Sequence, residues 1–96
     1  MRIVVTYDVN TTEAEGQKRL RKVAKICEKY GVRVQNSTFE VDVDNATFNF
    51  MKHQLKMVIE DTIDSIRFYK LGNNWANRIE KMGKNTALDV AEPLIF

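Results

Sequence analysis

Asp8 closes the run Arg2-Ile3-Val4-Val5-Thr6-Tyr7-Asp8. The consecutive β-branched residues Ile3, Val4 and Val5 read as a buried strand. Asp is disfavoured inside strands, and a buried carboxylate costs several kcal/mol unless it is paired, metal-bound or protonated. An acid at the C-terminal edge of a central strand is suited to metal-assisted or acid–base chemistry. The plainer reading is an Asp that caps the following turn. One carboxylate makes a poor magnesium site, because Mg²⁺ binds through one or two carboxylates, waters and substrate phosphates. A two-fold dimer that brings Asp8 beside its own copy supplies two. An ion held there polarises a phosphoryl oxygen and activates water. Two such carboxylates repel, which raises one apparent pKa, so metal occupancy is expected to depend on pH.

The second chemical feature is a run of cations. Between residues 17 and 33 stand Lys18, Arg19, Arg21, Lys22, Lys25, Lys29 and Arg33 against Glu28 alone, a net of +6; the whole chain carries only +2, so the remainder carries −4. Lys18, Lys22, Lys25 and Lys29 are spaced four, three and four residues apart, one stripe of a helix, with Arg19 and Arg21 beside it. At the helical rise of 1.5 Å per residue the stripe is about 16 Å long. Such a row suits phosphate contacts that are salt-dependent and indifferent to sequence. No aromatic residues are interleaved for base stacking. A solvated face that keeps the protein soluble is the alternative.

Other catalytic signatures are absent. There is no Gly-rich phosphate loop, no zinc-spaced Cys/His set and no nucleophile elbow. His53 is the single histidine and falls mid-helix, where a surface role is expected. Cys27 has no second cysteine to pair with and sits among helix-core positions, which favours a buried thiol over a nucleophile.

These features must be held by a small scaffold. Ninety-six residues, 44% hydrophobic and 29% charged, describe one ordinary globular domain spanning 1–96. The apolar runs are too short to cross a membrane, and the first strand leaves no room for a signal peptide. A cytoplasmic protein with no membrane contact is the expectation.

The first strand is followed by Thr12-x-x-Glu15, a capping-box pattern, although Gly16 allows a helix start nearer Gln17. Leu20, Val23, Ala24, Ile26, Cys27 and Tyr30 have helical spacing, and Gly31 supplies the stop. Val32 and Val34 begin an alternation whose phase has changed by Phe39, Val41 and Val43, so a bulge or kink is expected at Gln35-Asn36-Ser37. Asp44 or Asn45 caps a second helix with a buried stripe of Phe48, Met51, Leu55, Val58 and Ile59. Asp61 to Asp64 read as a polar turn, Ser65 to Leu71 as a third strand, Gly72-Asn73-Asn74 as a turn and Trp75 to Met82 as a fourth strand. The order is βαββαβ plus a short terminal strand, an α+β, ferredoxin-like arrangement with two helices on one face of an antiparallel sheet. Nothing in the chain covers the other face, yet Tyr69, Leu71, Trp75 and the terminal Leu94-Ile95-Phe96 need burial. A homodimer that stacks the sheets, with the C-terminal strand exchanged or paired across subunits, meets that need. Residues 83–96 are its expected dimer- and partner-binding tail.

Seven segments together carry a resemblance: Thr6-Tyr7-Asp8-Val9, Lys18 through Lys25, Tyr30-Gly31, Val34-Gln35-Asn36-Ser37-Thr38-Phe39-Glu40, Asp64-Ser65-Ile66-Arg67-Phe68-Tyr69, Leu71-Gly72-Asn73-Asn74 and Glu92-Pro93-Leu94-Ile95-Phe96. In this order and without large gaps, they resemble the CRISPR-associated protein Cas2 family, most of all the form found with type I-C systems. Thr38 departs from the family, which more often has Val there.

The resemblance implies a ferredoxin-like homodimer that acts in spacer acquisition. It implies that Asp8 is the Mg²⁺ or Mn²⁺ ligand of a two-fold site, with Tyr7, Ser37 and Phe39 in the catalytic neighbourhood. It further implies a metal-dependent endonuclease on double-stranded DNA or single-stranded RNA, and an adaptor that holds prespacer DNA with the integrase subunit. On the residues alone, Ser37 is equally a bulge residue and Phe39 plain core. Two functions therefore stand side by side: a metal-dependent phosphodiesterase centred on Asp8, and a non-catalytic DNA-binding scaffold using the basic helix and Arg33. A VapD-like toxin ribonuclease shares the fold and the first-strand Asp, but the tail motifs argue against it.

Overall fold

The computed structural model describes residues 1–72 and 79–84. Its elements are β1 (Arg2–Asp8), α1 (Ala14–Tyr30), β2 (Gly31–Gln35), β3 (Thr38–Asp42), α2 (Asn45–Val58), β4 (Ser65–Lys70) and β5 (Ile79–Gly83). One antiparallel sheet of order β2-β3-β1-β4-β5 results. The first four strands thus lie as in the ferredoxin-like fold, with β5 added at one edge. Both long connections are helices, and they cover the same face of the sheet.

Strand alternation decides what that face contains. Ile3, Val5 and Tyr7 of β1, Phe39 and Val41 of β3, and Ile66 and Phe68 of β4 point to the helices and are buried. Val23 and Cys27 of α1 and Phe48, Met51 and Leu55 of α2 meet them. Phe48 lies edge-on to Phe68, with ring centroids 5.3 Å apart. Cys27 is fully buried, and burial pushes its thiol up to about 12, which makes it an inert core residue.

Several local expectations change. The phase break at 35–37 is a chain reversal: β2 and β3 form a hairpin across the Asn36-Ser37 turn, with a register shift between Arg33 and Gln35. A kink and a reversal both reset a period of two, so periodicity alone does not separate them. Residues 65–70 are consequently the fourth strand in chain order. The Thr12–Glu15 capping box does not form. Asn10 takes that part of the chain instead, its side-chain oxygen accepting from the Thr12 N–H at 3.0 Å and the Thr12 hydroxyl at 2.7 Å. The helix starts at Ala14 and carries Gly16 in its first turn. There the β1–α1 loop lies so close that a Cβ would stand 1.8 Å from the Asn10 carbonyl oxygen. At the far end Gly31 stops the helix in an extended conformation and leads straight into β2. Asp44 caps α2, accepting from the Thr47 N–H at 2.8 Å.

The second sheet face has no cover among the described residues. Val32 is 69% exposed, Leu71 is exposed, and Tyr69 is half-buried. The turn residues Asn73 and Asn74, the first half (75–78) of the expected Trp75–Met82 strand and the tail from Asn85 onward lie outside the described residues; the second half of that strand is β5.

Candidate active site and basic helix

Period-two alternation carries Asp8 to the uncovered face. With Ile3, Val5 and Tyr7 turned to the core, Val4, Thr6 and Asp8 point the other way. Asp8 is exposed at the last rung of the sheet, opposite Ser65 of β4. The burial expected of a strand acid does not hold for this carboxylate, because it lies at the strand's end on the open face, in solvent. Among the described residues, its carboxylate has no hydrogen-bond or ion-pair partner.

The rest of the expected catalytic set divides between the two faces. Tyr7 and Phe39 are buried on the helix side, with ring centroids 6.1 Å apart. The Tyr7 hydroxyl donates to the Asn36 carbonyl at 3.5 Å, and burial holds its pKa above that of a free tyrosine. Both are built into the core and are not presented beside Asp8. Ser37 sits in the hairpin turn, where its carbonyl accepts the Tyr7 N–H at 3.1 Å. Asp8 is therefore the one member of the four that the open face offers to a ligand.

The lysine stripe forms as spaced. Lys18, Arg21, Lys22, Lys25 and Lys29 are all exposed, while Val23 and Cys27 turn to the sheet. The stripe points away from the sheet, so it and Asp8 occupy opposite sides of the two-layer molecule. Two of the expected phosphate contacts are engaged otherwise. Arg33 bonds Glu28 at 3.2 Å and the Asn36 carbonyl at 2.6 Å, with its guanidinium 5.0 Å from the centre of the Phe39 ring. Arg19 leaves the stripe for Asp64, its Nε 2.7 Å from Asp64 Oδ2.

Asp64 is the ionisable group that the sequence reading misplaced. Taken as part of a polar turn, it is fully buried. Its Oδ1 accepts from the Asn10 N–H at 3.0 Å and Arg19 Nη2 at 3.3 Å; its Oδ2 accepts from Arg19 Nε and from the Glu60 N–H at 2.9 Å. Burial pulls its pKa up, but the Arg19 hydrogen bond and the Glu60 and Asn10 N–H groups outweigh it and hold the carboxyl below its ordinary range. The backbone joins the same corner. The Lys84 N–H donates to the Asp64 carbonyl at 2.6 Å, and Gly83, at φ 94°, approaches so closely that a Cβ would lie 2.1 Å from that oxygen. One sequence signal does point here. Arg19 is three residues after Gly16 and four before Val23, on the helix flank that turns to the core.

Among the described residues no three His, Cys, Asp or Glu side chains converge as a metal site. His53 stands exposed on α2, on the wall of an open cleft with Lys52, Lys56, Asp61 and Glu80. Divalent-ion chemistry at Asp8 would have to use one exposed carboxylate per chain. That carboxylate is accessible and unpaired among the described residues, so it fits an ion shared by two copies. No described helix is long and apolar enough to cross a membrane.

The sheet order and the two helices on one face define a small α+β protein of the ferredoxin-like fold, with a strand-end carboxylate and a basic helix on opposite sides. The profile of the family described as CRISPR associated protein Cas2 matches residues 1–79. A CRISPR-associated endoribonuclease Cas2 of Rhodospirillum rubrum is 52% identical over 94 residues, covering 98% of this chain and 99% of that one. A CRISPR-associated endonuclease Cas2 of Halalkalibacterium halodurans is 47% identical over 96 residues, the whole of both chains. The crystal structure of Streptococcus pyogenes Cas2 at pH 6.5 superposes with a TM-score of 0.71 at 55% identity, covering 86% of this chain and all of that one. This chain belongs to the CRISPR-associated Cas2 family, and the ferredoxin-like fold expected of it is the fold observed.

Proposed function

We propose that the protein is a CRISPR adaptation nuclease: a metal-dependent phosphodiesterase that acts as a homodimer on double-stranded DNA or single-stranded RNA. The observation that carries this reading is Asp8, an exposed carboxylate at the end of a central strand with no partner among the described residues. It is joined by family membership, since relatives are named endoribonucleases and endonucleases. Asp8 and its copy would hold Mg²⁺ or Mn²⁺, which supplies Lewis-acid stabilisation of phosphoryl charge and an activated water. The uncovered sheet face, with Val32, Val34 and Leu71 exposed, supports pairing with a second copy. Among the described residues no group is hydrogen-bonded to the Asp8 carboxylate that could serve with it as a general base, which suits a slow enzyme.

One observation favours the second role, a scaffold that holds prespacer DNA with the integrase subunit. The lysine stripe faces away from the Asp8 side, so nucleic acid lying along Lys18, Lys22, Lys25 and Lys29 is remote from the carboxylate of the same protomer. Holding and cutting then use different surfaces, and the scaffold role does not need Asp8. The integrase contact belongs to the tail in this reading.

The test is cleavage of a DNA duplex and a single-stranded RNA, with Mg²⁺ or chelator, by wild type and Asp8→Ala checked for equal folding and oligomer mass. Metal-dependent cleavage that disappears in Asp8→Ala supports the nuclease. Cleavage absent from both proteins, or equal in both, removes it and leaves the scaffold.

A further inference from the structure

The helix layer carries a surface that uses neither Asp8 nor the open sheet face. Two contacts fix how α1 and α2 lie together. The Tyr30 hydroxyl donates to Gln54 Oε1 at 2.6 Å, and at the other end Arg19 holds Asp64, which follows α2. The helices are therefore antiparallel, and Gln54 marks the flank of α2 that faces α1. At about 100° per residue, Phe50 and Met57 stand about 40° and 60° beyond Gln54, turned outward along the same seam. They are 59% and 75% exposed. The α1 side repeats the spacing. Ile26, half-buried on the flank that holds Arg19 and Tyr30, has Lys22 four residues before it and Lys29 three after it, both exposed. Lys29 thus lies at the Phe50 end of the seam and Lys22 at the Met57 end. Helices packed about 8–10 Å apart bring such rims within side-chain reach of one another. Among the described residues neither lysine has an ion-pair or hydrogen-bond partner. Acids stand away from the seam: α2 has none between Asn45 and Val58, and Glu28 of α1 bonds Arg33 on the opposite flank.

We propose that this seam binds unpaired nucleic acid: Lys22 and Lys29 hold backbone phosphates while the Phe50 ring stacks on a base. The aromatic residue that the lysine stripe lacks along α1 is supplied across the seam by α2. A base inside a duplex is paired and stacked on both faces and has none to give Phe50; a base in a single strand has one. Stacking accepts any base and the lysines contact only phosphate, so the surface distinguishes single strands from duplexes without reading sequence. The Met57 thioether, about 10.5 Å along the helix from Phe50, offers a second apolar contact to a neighbouring base. This inference rests on the reading of the lysine stripe as a nucleic-acid surface. It adds a preference for single strands, and it needs no metal and no turnover.

The probes are fluorescein-labelled oligothymidylate, oligouridylate and a mixed-sequence DNA duplex of the same length, titrated by anisotropy in chelator at several salt concentrations. Phe50→Ala is expected to weaken binding of the single strands about tenfold, as for loss of one stacked base, with the duplex affinity and all salt slopes unchanged. Phe50→Trp should bind single strands at least as well as wild type, and Phe50→Leu, which keeps an apolar side chain without a ring, should not. Lys22→Ala with Lys29→Ala should weaken all three probes and lower the salt slope by about one to two. A single-strand affinity that Phe50→Ala leaves unchanged overturns the proposal, as does an equal loss on the duplex or full binding by Phe50→Leu. A loss that tracks a change in oligomer mass also overturns it, and would mark Phe50 as a contact between copies. If the lysine variant weakens all probes and Phe50→Ala weakens none, stacking alone falls and the stripe reading stands. If the lysine variant weakens none, the stripe reading fails and takes the proposal with it.

Discussion

Asp8 and Asp64 lie at the same end of neighbouring strands, and their surroundings are opposites. Asp8 ends β1, opposite Ser65; Asp64 immediately precedes Ser65. Asp8 is exposed, with no partner among the described residues. Asp64 is fully buried and accepts four hydrogen bonds from Asn10, Arg19 and Glu60. A carboxylate with every acceptor site occupied has nothing left for a ligand. A carboxylate with none occupied contributes little to stability and is free to bind. The difference gives the corner around Asp64 to holding the fold and leaves the rim at Asp8 open for the chemistry proposed there.

The largest expected effects come from exchanging those roles. Asp8→Ala should abolish metal-dependent cleavage while shifting unfolding free energy by no more than about 0.5 kcal/mol, as for a surface change. Asp64→Ala should cost about 3–5 kcal/mol, because Arg19 is left partly buried without its partner. Urea unfolding and a cleavage assay on both variants measure the comparison directly. A destabilised Asp8→Ala would show that the rim also supports the fold, and the division would fail.

The next effect is on acid stability. The Asp64 carboxyl is held below its ordinary range in the fold, so its contribution is fully present above the unfolded value of about 3.9 and is lost as pH falls through the folded value. Wild type should therefore lose stability steeply below about pH 4. Asp64→Asn is less stable at neutral pH and should have a flatter acid limb, read from urea midpoints across the acid range. Equal limbs in the two proteins would place the acid sensitivity elsewhere, for example at Glu80, whose carboxyl is also held low.

This contrast also marks how far the sequence could be read. The alternation of Ile3, Val5 and Tyr7 was legible, and followed strictly it already turns Asp8 away from the core. The spacing of Phe48, Met51 and Leu55 and the Asp44 cap were legible because each depends on neighbours within a turn. The Asn36-Ser37 reversal was not, since a bend and a hairpin reset the alternation alike. Arg19 looked like part of a cationic face because its partner lies 45 residues away, and nothing local marks Asp64 as buried. Tyr7 and Phe39 carried a catalytic expectation by resemblance, and the pleat puts them on the opposite face from Asp8.

The smallest effect tests whether burial separates the two kinds of carboxylate. Glu80 of β5 resembles Asp64 in having cationic partners: it bonds Lys52 of α2 at 2.7 Å and also Lys70 of β4. Both ammonium groups lie over the Phe48 ring, at 4.5 and 5.4 Å from its centre. Burial pulls its pKa up, and the two lysines outweigh that pull, as Arg19 does for Asp64. Its side chain, however, keeps 32% of its exposure, so water screens the pairs and would rehydrate the lysines if the carboxylate were removed. Glu80→Gln should then cost only about 1 kcal/mol, well below Asp64→Ala, by urea unfolding at neutral pH. If the two costs were equal, the number of cationic partners, and not their burial, would set the strength of these ties. Asp64 would then lose its standing as the special corner of the fold.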